Sequence, residues 1–187
     1  MNRRMILRIL GLILLLEAAF MLLPVLVAVI YHERAGSAFA WTAAGTALLG
    51  AGMYGLAKPR SQTIYAREGL VTVALSWIAL SLCGALPFTL CGDIPSYLDA
   101  VFETVSGFTT TGSSILPNVE QLNQCSLFWR SFSHWIGGMG ILVFMLAIVN
   151  LEGGQAIHLL RAESPGPSVS KMVPRMADSS KILYTLY

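Results

Sequence analysis

The sequence predicts an all-α membrane protein, in which an N-terminal two-helix hairpin precedes one helix–re-entrant loop–helix repeat. Hydrophobic residues make up 55% of the 187-residue chain and charged residues only 12%, with a mean hydropathy of +0.67. A soluble domain of this size cannot bury so much apolar surface. Apolar runs near the ~20 residues that cross a bilayer lie at 5–31, 38–57, 69–90 and 127–151.

The distribution of basic residues predicts the orientation of these spans. Lys and Arg cluster at 3–8, 58–67 and 161–181, whereas the segment between Glu68 and Trp129 contains neither. Because cytoplasmic loops are rich in Lys and Arg, we expect both ends of the chain in the cytoplasm. The net charge of +2 is too small to indicate a nucleic-acid partner. The segment expected outside carries Asp93, Asp99, Glu103 and Glu120.

The hairpin, residues 1–62, contains two features that concern packing. Small residues recur every four positions in the second run, at Ala43, Ala47, Ala51 and Gly55, which predicts close approach of another helix. Glu17 is an acid deep in the first run, and such residues are costly and often functional. We interpret it as a carboxyl that faces the bundle, hydrogen-bonded or protonated, and the functional alternative stays open.

A short helix is predicted at about 97–107, between the third and fourth runs. Ser96 begins a capping box with Asp99 in the first turn, and the apolar residues that follow keep helical spacing. Eleven residues make a helix of about 16 Å, which reaches only halfway through a ~30 Å hydrocarbon core. Gly107 is expected to end this helix inside the membrane.

The loop at about 108–114 is rich in Thr, Gly and Ser and has no charge. Irregular backbone at membrane depth is tolerated only where it is buried in protein or lines water, and a re-entrant pore loop meets that condition. Closely spaced backbone carbonyls can replace the hydration shell of a cation. We therefore predict a cation filter in which Thr110, Thr111, Gly112 and Ser113 bind the ion through their carbonyls. The preceding helix would point its partly negative end toward the pore, and the outer acids could raise the local cation concentration.

Several polar residues near the outer face are open to two interpretations. Cys91 and Cys125 could form a disulfide, although their spacing does not show that they meet. Arg130 is interpreted as a polar anchor at the membrane interface and His134 as a hydrogen-bonded packing residue. For either one, support of the filter from behind is the alternative. No Cys and His spacing of a metal site occurs in the chain.

Three segments resemble the Trk/Ktr potassium uptake family, of TrkH type. Residues 102–112 (FETVSGFTTTG) resemble its first filter, 128–141 (FWRSFSHWIGGMGI) the start of the helix that follows, and 162–167 (AESPGP) a cytoplasmic connector. The resemblance implies that 63–155 are the first of four helix–pore loop–helix repeats, with a pore helix at 97–107 and a filter at 108–114. Residues 156–187 would then be the connector and the start of the next repeat.

The resemblance also implies a potassium-channel-like pore, with K⁺ as the transported ion and no organic cofactor. The chain would be an N-terminal portion of a multi-pass protein of the bacterial inner membrane. Its expected partners are membrane lipid, further pore repeats or copies of the chain, a second subunit in a homodimer of the full-length protein, and a cytosolic TrkA-type nucleotide-binding regulatory subunit.

Two alternatives to transport remain at this stage. The first is a four-helix membrane scaffold, which the small-residue stripe would suit. The second is an intramembrane serine hydrolase that uses Ser113 or Ser114 with His134, although no nucleophile motif surrounds either serine. The leading hypothesis is therefore a transporter rather than an enzyme.

Overall fold

A computed structural model describes residues 3–57 and 66–140 of the chain. Every regular element in these ranges is helical. The helices are α1 (Arg3–Phe20), α2 (Leu22–Tyr31), α3 (Gly36–Leu56), α4 (Ala66–Leu90), α5 (Tyr97–Phe108) and α6 (Gln124–Met139), with a 3₁₀ turn at Val119–Gln121.

Some predicted features lie outside the described residues. These are the boundary between hairpin and repeat at 62/63, the last part of the fourth run at 141–151, and the connector at 156–187. Two described segments, Arg3–Tyr31 and Arg67–Leu90, are long and apolar enough to cross a membrane.

The first predicted span is interrupted once and packs along α3. The interruption is at Met21, between α1 and α2, close to Pro24, which lacks the N–H needed to continue the helical bonding pattern. A Cβ on Gly11 would lie 2.7 Å from the Gly50 carbonyl oxygen, so the two helices touch backbone to backbone there. Of the predicted contact stripe, Ala43 is buried, whereas Ala51 and Gly55 are exposed, and the close approach to α1 is made by Gly50, which lies outside the stripe.

The repeat consists of α4, the short α5 and α6, with α5 packed against both longer helices. Polar contacts fix its register: the Trp129 indole N–H donates to the Gly84 carbonyl at 3.0 Å, and the Tyr97 hydroxyl donates to the Leu82 carbonyl at 2.9 Å. α6 is thereby bonded to α4 through a side chain that is fully buried.

The hairpin docks on the repeat at two points. The carboxylate of Glu33, in the loop after α2, accepts bonds from the backbone N–H groups of Gln124 (2.7 Å) and Cys125 (3.0 Å). These are orphan donors at the start of α6. Phe20 at the end of α1 contacts Phe132 of α6 edge to face, with ring centroids 5.3 Å apart. The N-terminal hairpin therefore positions the helix that follows the predicted filter.

Candidate functional site

The site begins with α5, whose two ends are capped differently. At its start the Ser96 hydroxyl accepts from the Asp99 N–H at 3.4 Å, as the capping box predicts. At its end the N–H groups of Thr110 and Thr111 donate to the carbonyls of Gly107 and Ser106, both at 3.0 Å. This is the bonding pattern of a Schellman motif.

The helix α5 ends at Phe108, one residue beyond the predicted end at about Gly107. A Cβ on Gly107 would lie 2.2 Å from the Ser133 Oγ, so Gly107 permits contact with α6. The Schellman motif also occupies the carbonyls at the end of α5 with N–H groups of the loop. The negative end of α5 is thus partly neutralised by the predicted filter itself.

The φ angle of the loop backbone alternates in sign. Thr110 has φ of +56° and Gly112 has φ of +75°, whereas Thr109 has φ of −84°, and Thr111 and Ser113 do not have positive φ. A β-branched residue at positive φ is rare and costs about 1–3 kcal/mol, so the surrounding structure must hold Thr110 in place.

The backbone carbonyls of the four predicted ligand residues accept no hydrogen bond from any residue that the structure describes. These residues, Thr110 to Ser113, are also exposed. A Cβ on Gly112 would have nothing within 4 Å, so glycine is suited to this position by its positive φ and not by lack of space. The segment presents backbone oxygen that is free to accept a ligand.

Glu103 holds the end of this loop from behind. Its buried carboxylate accepts from the Ser114 hydroxyl at 3.1 and 3.0 Å and from the Ile115 N–H at 3.1 Å. It also pairs with the Arg130 Nε at 2.5 Å. The expectation that Glu103 is an outer acid that attracts cations is wrong, because it is buried and its charge is balanced. Arg130 is not an interfacial anchor either: it supports the loop through Glu103.

Aromatic side chains surround the end of α5. The Phe108 ring lies 6.0 Å from Trp77 and 6.5 Å from Trp129, measured between centroids. A Cβ on Gly137 would lie 2.1 Å from the Phe108 carbonyl oxygen, so the backbone of α6 rests directly on this turn. These contacts fix the point at which the loop leaves α5.

The remaining polar predictions have mixed outcomes. His134 Nδ1 lies 2.9 Å from the Arg130 carbonyl oxygen, which confirms the packing interpretation. Cys91 and Cys125 are free thiols, and burial raises the pKa of Cys91 to about 11. The contacts described for Ser114 and His134 bring neither to the other, which gives no support to a serine hydrolase.

Sequence reasoning missed the Glu103–Arg130 pair, although one signal for it was present. Arg130 and Glu103 both lie in apolar segments, and charges inside a membrane are expected to pair with one another. Their 27-residue separation exceeds any local spacing rule. The aromatic contacts of Phe108 and the left-handed Thr110 had no such signal.

Comparison with known proteins identifies relatives of the whole chain. Residues 35–187 match the TrkH family, described as a cation transport protein. The chain is 40% identical over 190 residues to the Trk system potassium uptake protein TrkH of Vibrio parahaemolyticus and 39% identical to TrkH of Escherichia coli K12. Both alignments cover 100% of this chain and 39% of the relative.

A solved structure agrees with these matches. The crystal structure of the potassium transporter TrkH from Vibrio parahaemolyticus superimposes with a TM-score of 0.79 at 35% identity. The superposition covers 100% of this chain and 37% of that one. The chain thus spans under half the length of the relatives that it matches.

Proposed function

The chain belongs to the TrkH family of cation transport proteins, and on that premise we propose that it contributes one quarter of a K⁺ filter to a potassium uptake system. The ion would bind the backbone carbonyls of Thr110, Thr111, Gly112 and Ser113. The observation that carries this proposal is a run of four carbonyls that accept no hydrogen bond from any described residue, on a backbone whose φ angle alternates in sign. A scaffold without transport gives no reason for a β-branched residue held at positive φ.

The braced loop supports the same proposal. A filter replaces the hydration shell of the ion with backbone carbonyl oxygens, and a braced loop holds such oxygens in position. Here Glu103 holds Ser114 and Ile115, while the end of α5 is fixed by Phe108 and Gly137. Both ends of the four-residue ligand segment are therefore attached to helices that pack against it.

The proposal includes the partners and location that complete such a pore. One repeat cannot encircle an ion, so the other three quarters come from further repeats in the same polypeptide or from copies of this chain. We place the protein in the bacterial inner membrane with both ends of this chain cytoplasmic, on the distribution of Lys and Arg. A homodimer and a cytosolic TrkA-type nucleotide-binding subunit are the proposed assembly partners.

The substitution Gly112→Asp tests the filter. In the polypeptide that contains this chain, we expect loss of K⁺-dependent growth in cells that lack other K⁺ uptake systems, because a carboxylate would enter the ligand segment. Gly92→Asp is the matched control: Gly92 also has positive φ (+84°) and open space around it, but it lies in the loop after α4. Unchanged uptake with Gly112→Asp, at wild-type protein levels, would refute the filter assignment.

The same growth assay separates the two ways to complete the pore. The 187-residue chain is compared with a version extended through its natural reading frame. Rescue by the extended version alone means that the other quarters lie in one polypeptide. Rescue by the short chain means that copies of one repeat assemble around the ion.

A further inference from the structure

Glu17 has a carboxyl group that the proposed function does not use. Its side chain is fully enclosed, and neither carboxyl oxygen has a hydrogen-bond partner among residues 3–57 and 66–140. The residue lies at the centre of the segment Arg3–Tyr31, which is long and apolar enough to span a bilayer. The carboxyl is therefore near the middle of the membrane and inside the protein.

The helices α4 and α5 lie beside this carboxyl of α1. A Cβ built on Gly84 of α4 would lie 3.1 Å from Glu17 Oε1, and the same point is 3.0 Å from Thr104 Cγ2 and 3.3 Å from the Phe108 ring. Thr104 and Phe108 belong to α5, immediately before the loop. The carboxyl of α1 thus fills the space left by a glycine, behind the last turns of α5.

No cation faces Glu17 among the residues that the structure describes. Arg8 donates to the Tyr54 hydroxyl at 3.0 Å and lies over that ring, and Arg130 is paired with Glu103; the other described arginines are exposed. The titratable side chains of the helices α3 to α6 are, in turn, Tyr54; Arg67, Glu68 and Cys83; Tyr97, Asp99 and Glu103; and Cys125, Arg130 and His134.

An ionised carboxylate in such a place loses its hydration and receives no compensating hydrogen bond or counter-charge. A bound proton neutralises the group and removes this desolvation cost. We propose that Glu17 is a proton-binding site, occupied when the hairpin is docked on α4 and α5. The ligand is a single proton, and the group is a neutral carboxylic acid in the folded chain. This inference goes beyond the proposed transport function and does not depend on it.

The site makes the hairpin junction sensitive to alkaline pH. The folded chain holds a proton that the unfolded chain releases in neutral water, so folding weakens as the pH rises. By linkage, one such proton changes the unfolding equilibrium about tenfold per pH unit. Removal of the proton would charge a carboxyl that lies beside Gly84 of α4 and close to the last turns of α5, and α1 would have to separate from those helices to admit water.

Infrared spectroscopy of the whole polypeptide in lipid nanodiscs tests the proposal. Wild-type protein should show the C=O stretch of a protonated carboxylic acid at neutral pH, and Glu17→Gln should remove that band. Gly84→Ala, whose added methyl meets the carboxyl, should shift the band and provides a second test if Glu17→Gln folds poorly. Glu120→Gln, at an exposed position, is the control that leaves the band unchanged.

The second measurement is the unfolding equilibrium against pH in mild detergent. As the pH rises above 7, wild-type protein should lose stability relative to Glu17→Gln, whose amide cannot ionise, by at most about tenfold per pH unit. A missing acid band, a band that neither variant alters, or parallel pH profiles would each overturn the proposal. None of these readouts involves K⁺, so failure here is distinct from failure of the filter assignment.

Discussion

Glu17 and Glu103 are two carboxyls with the same burial and opposite surroundings. Each is 1% exposed. Glu103 accepts bonds from Ser114, Ile115 and Arg130, whereas Glu17 has no hydrogen-bond partner in the part of the chain that the structure describes. Burial alone therefore does not determine whether an acid in a membrane is charged. The partners decide: Glu103 is an anion that organises a loop, and we infer that Glu17 is a neutral acid that fills a gap.

The difference follows from where each helix lies. α5 is amphipathic and short, so Glu103 reaches both the loop beyond its end and the arginine of α6. α1 is apolar along the segment near Glu17, and its neighbours there are Gly84, Thr104 and Phe108, none of which carries a charge. The charge of Glu103 is stabilised by its bonds to Ser114, Ile115 and Arg130.

The substitution Glu103→Gln should have the largest effect. It leaves Arg130, only 18% exposed in its side chain, without a counter-charge, and breaking a buried pair in this way costs about 3–5 kcal/mol. We expect a loss of this size in the free energy of unfolding, measured by denaturing-detergent titration. The same change at Glu17 should cost about 1 kcal/mol or less at neutral pH, because an amide replaces a neutral acid of similar volume.

A double-mutant cycle makes the comparison sharper. Arg130→Gln combined with Glu103→Gln should be less destabilised than the sum of the single variants, by an interaction energy of about 0.5–3 kcal/mol. Equal losses for Glu103→Gln and Glu17→Gln would mean that the two carboxyls have the same charge state, and the comparison would fail.

The extent to which sequence predicts this molecule differs between its helices and its loop. Hydrophobic periodicity and the Ser96 cap predict α5 from Tyr97 onward, because both are local signals. The end of α5 is predicted to within one residue, but the form of its cap is not: Gly107 lies inside the helix in contact with α6, and Thr110 takes the left-handed position that glycine usually occupies. This cap geometry depends on contacts with Ser133 and Gly137, which belong to a helix that is distant in sequence.

The charged groups were predicted least well for the same reason. Sequence shows that Glu17, Glu103 and Arg130 lie in apolar surroundings, but not which of them meet. Segments 25–30 residues apart become neighbours only after helices pack, and the direction of each side chain depends on helix rotation. Local rules predicted His134 correctly because its partner is the carbonyl of Arg130, one helical turn away.

Ser114→Ala should have an intermediate effect, because it removes one partner of Glu103 and leaves Arg130 in place. A hydrogen bond to a charged group contributes about 1.5 kcal/mol or more, and we expect a loss near that value. Ser113→Ala is the matched control for stability: the structure describes no hydrogen bond from the Ser113 side chain. If both variants unfolded alike, the Ser114 contact would have no energetic importance for the loop.

Glu33 is a third carboxyl and lies outside the membrane. Water there provides part of the stabilisation that Glu103 receives from hydrogen bonds with protein groups. Desolvation alone would raise the pKa of Glu33, but hydrogen bonds from the backbone of Cys125 and Gln124 outweigh it and lower the pKa below its ordinary value of 4.5. Glu33→Gln should therefore cost about 1 kcal/mol, the typical loss of a helix cap, and less than either substitution at the loop.

The pH dependence of that loss distinguishes Glu33 from Glu17. A carboxyl with a lowered pKa stabilises the fold above its unfolded value, and this contribution disappears as the pH falls through the folded value. Wild-type protein and Glu33→Gln should therefore differ in unfolding free energy at neutral pH and converge below pH 4.5, whereas wild-type protein and Glu17→Gln should diverge on the alkaline side. If the difference in unfolding free energy between wild-type protein and Glu33→Gln did not decrease in acid, the negative charge of Glu33 would not contribute to the cap. Glu103 would then be the only one of these three carboxyls whose charge stabilises the fold.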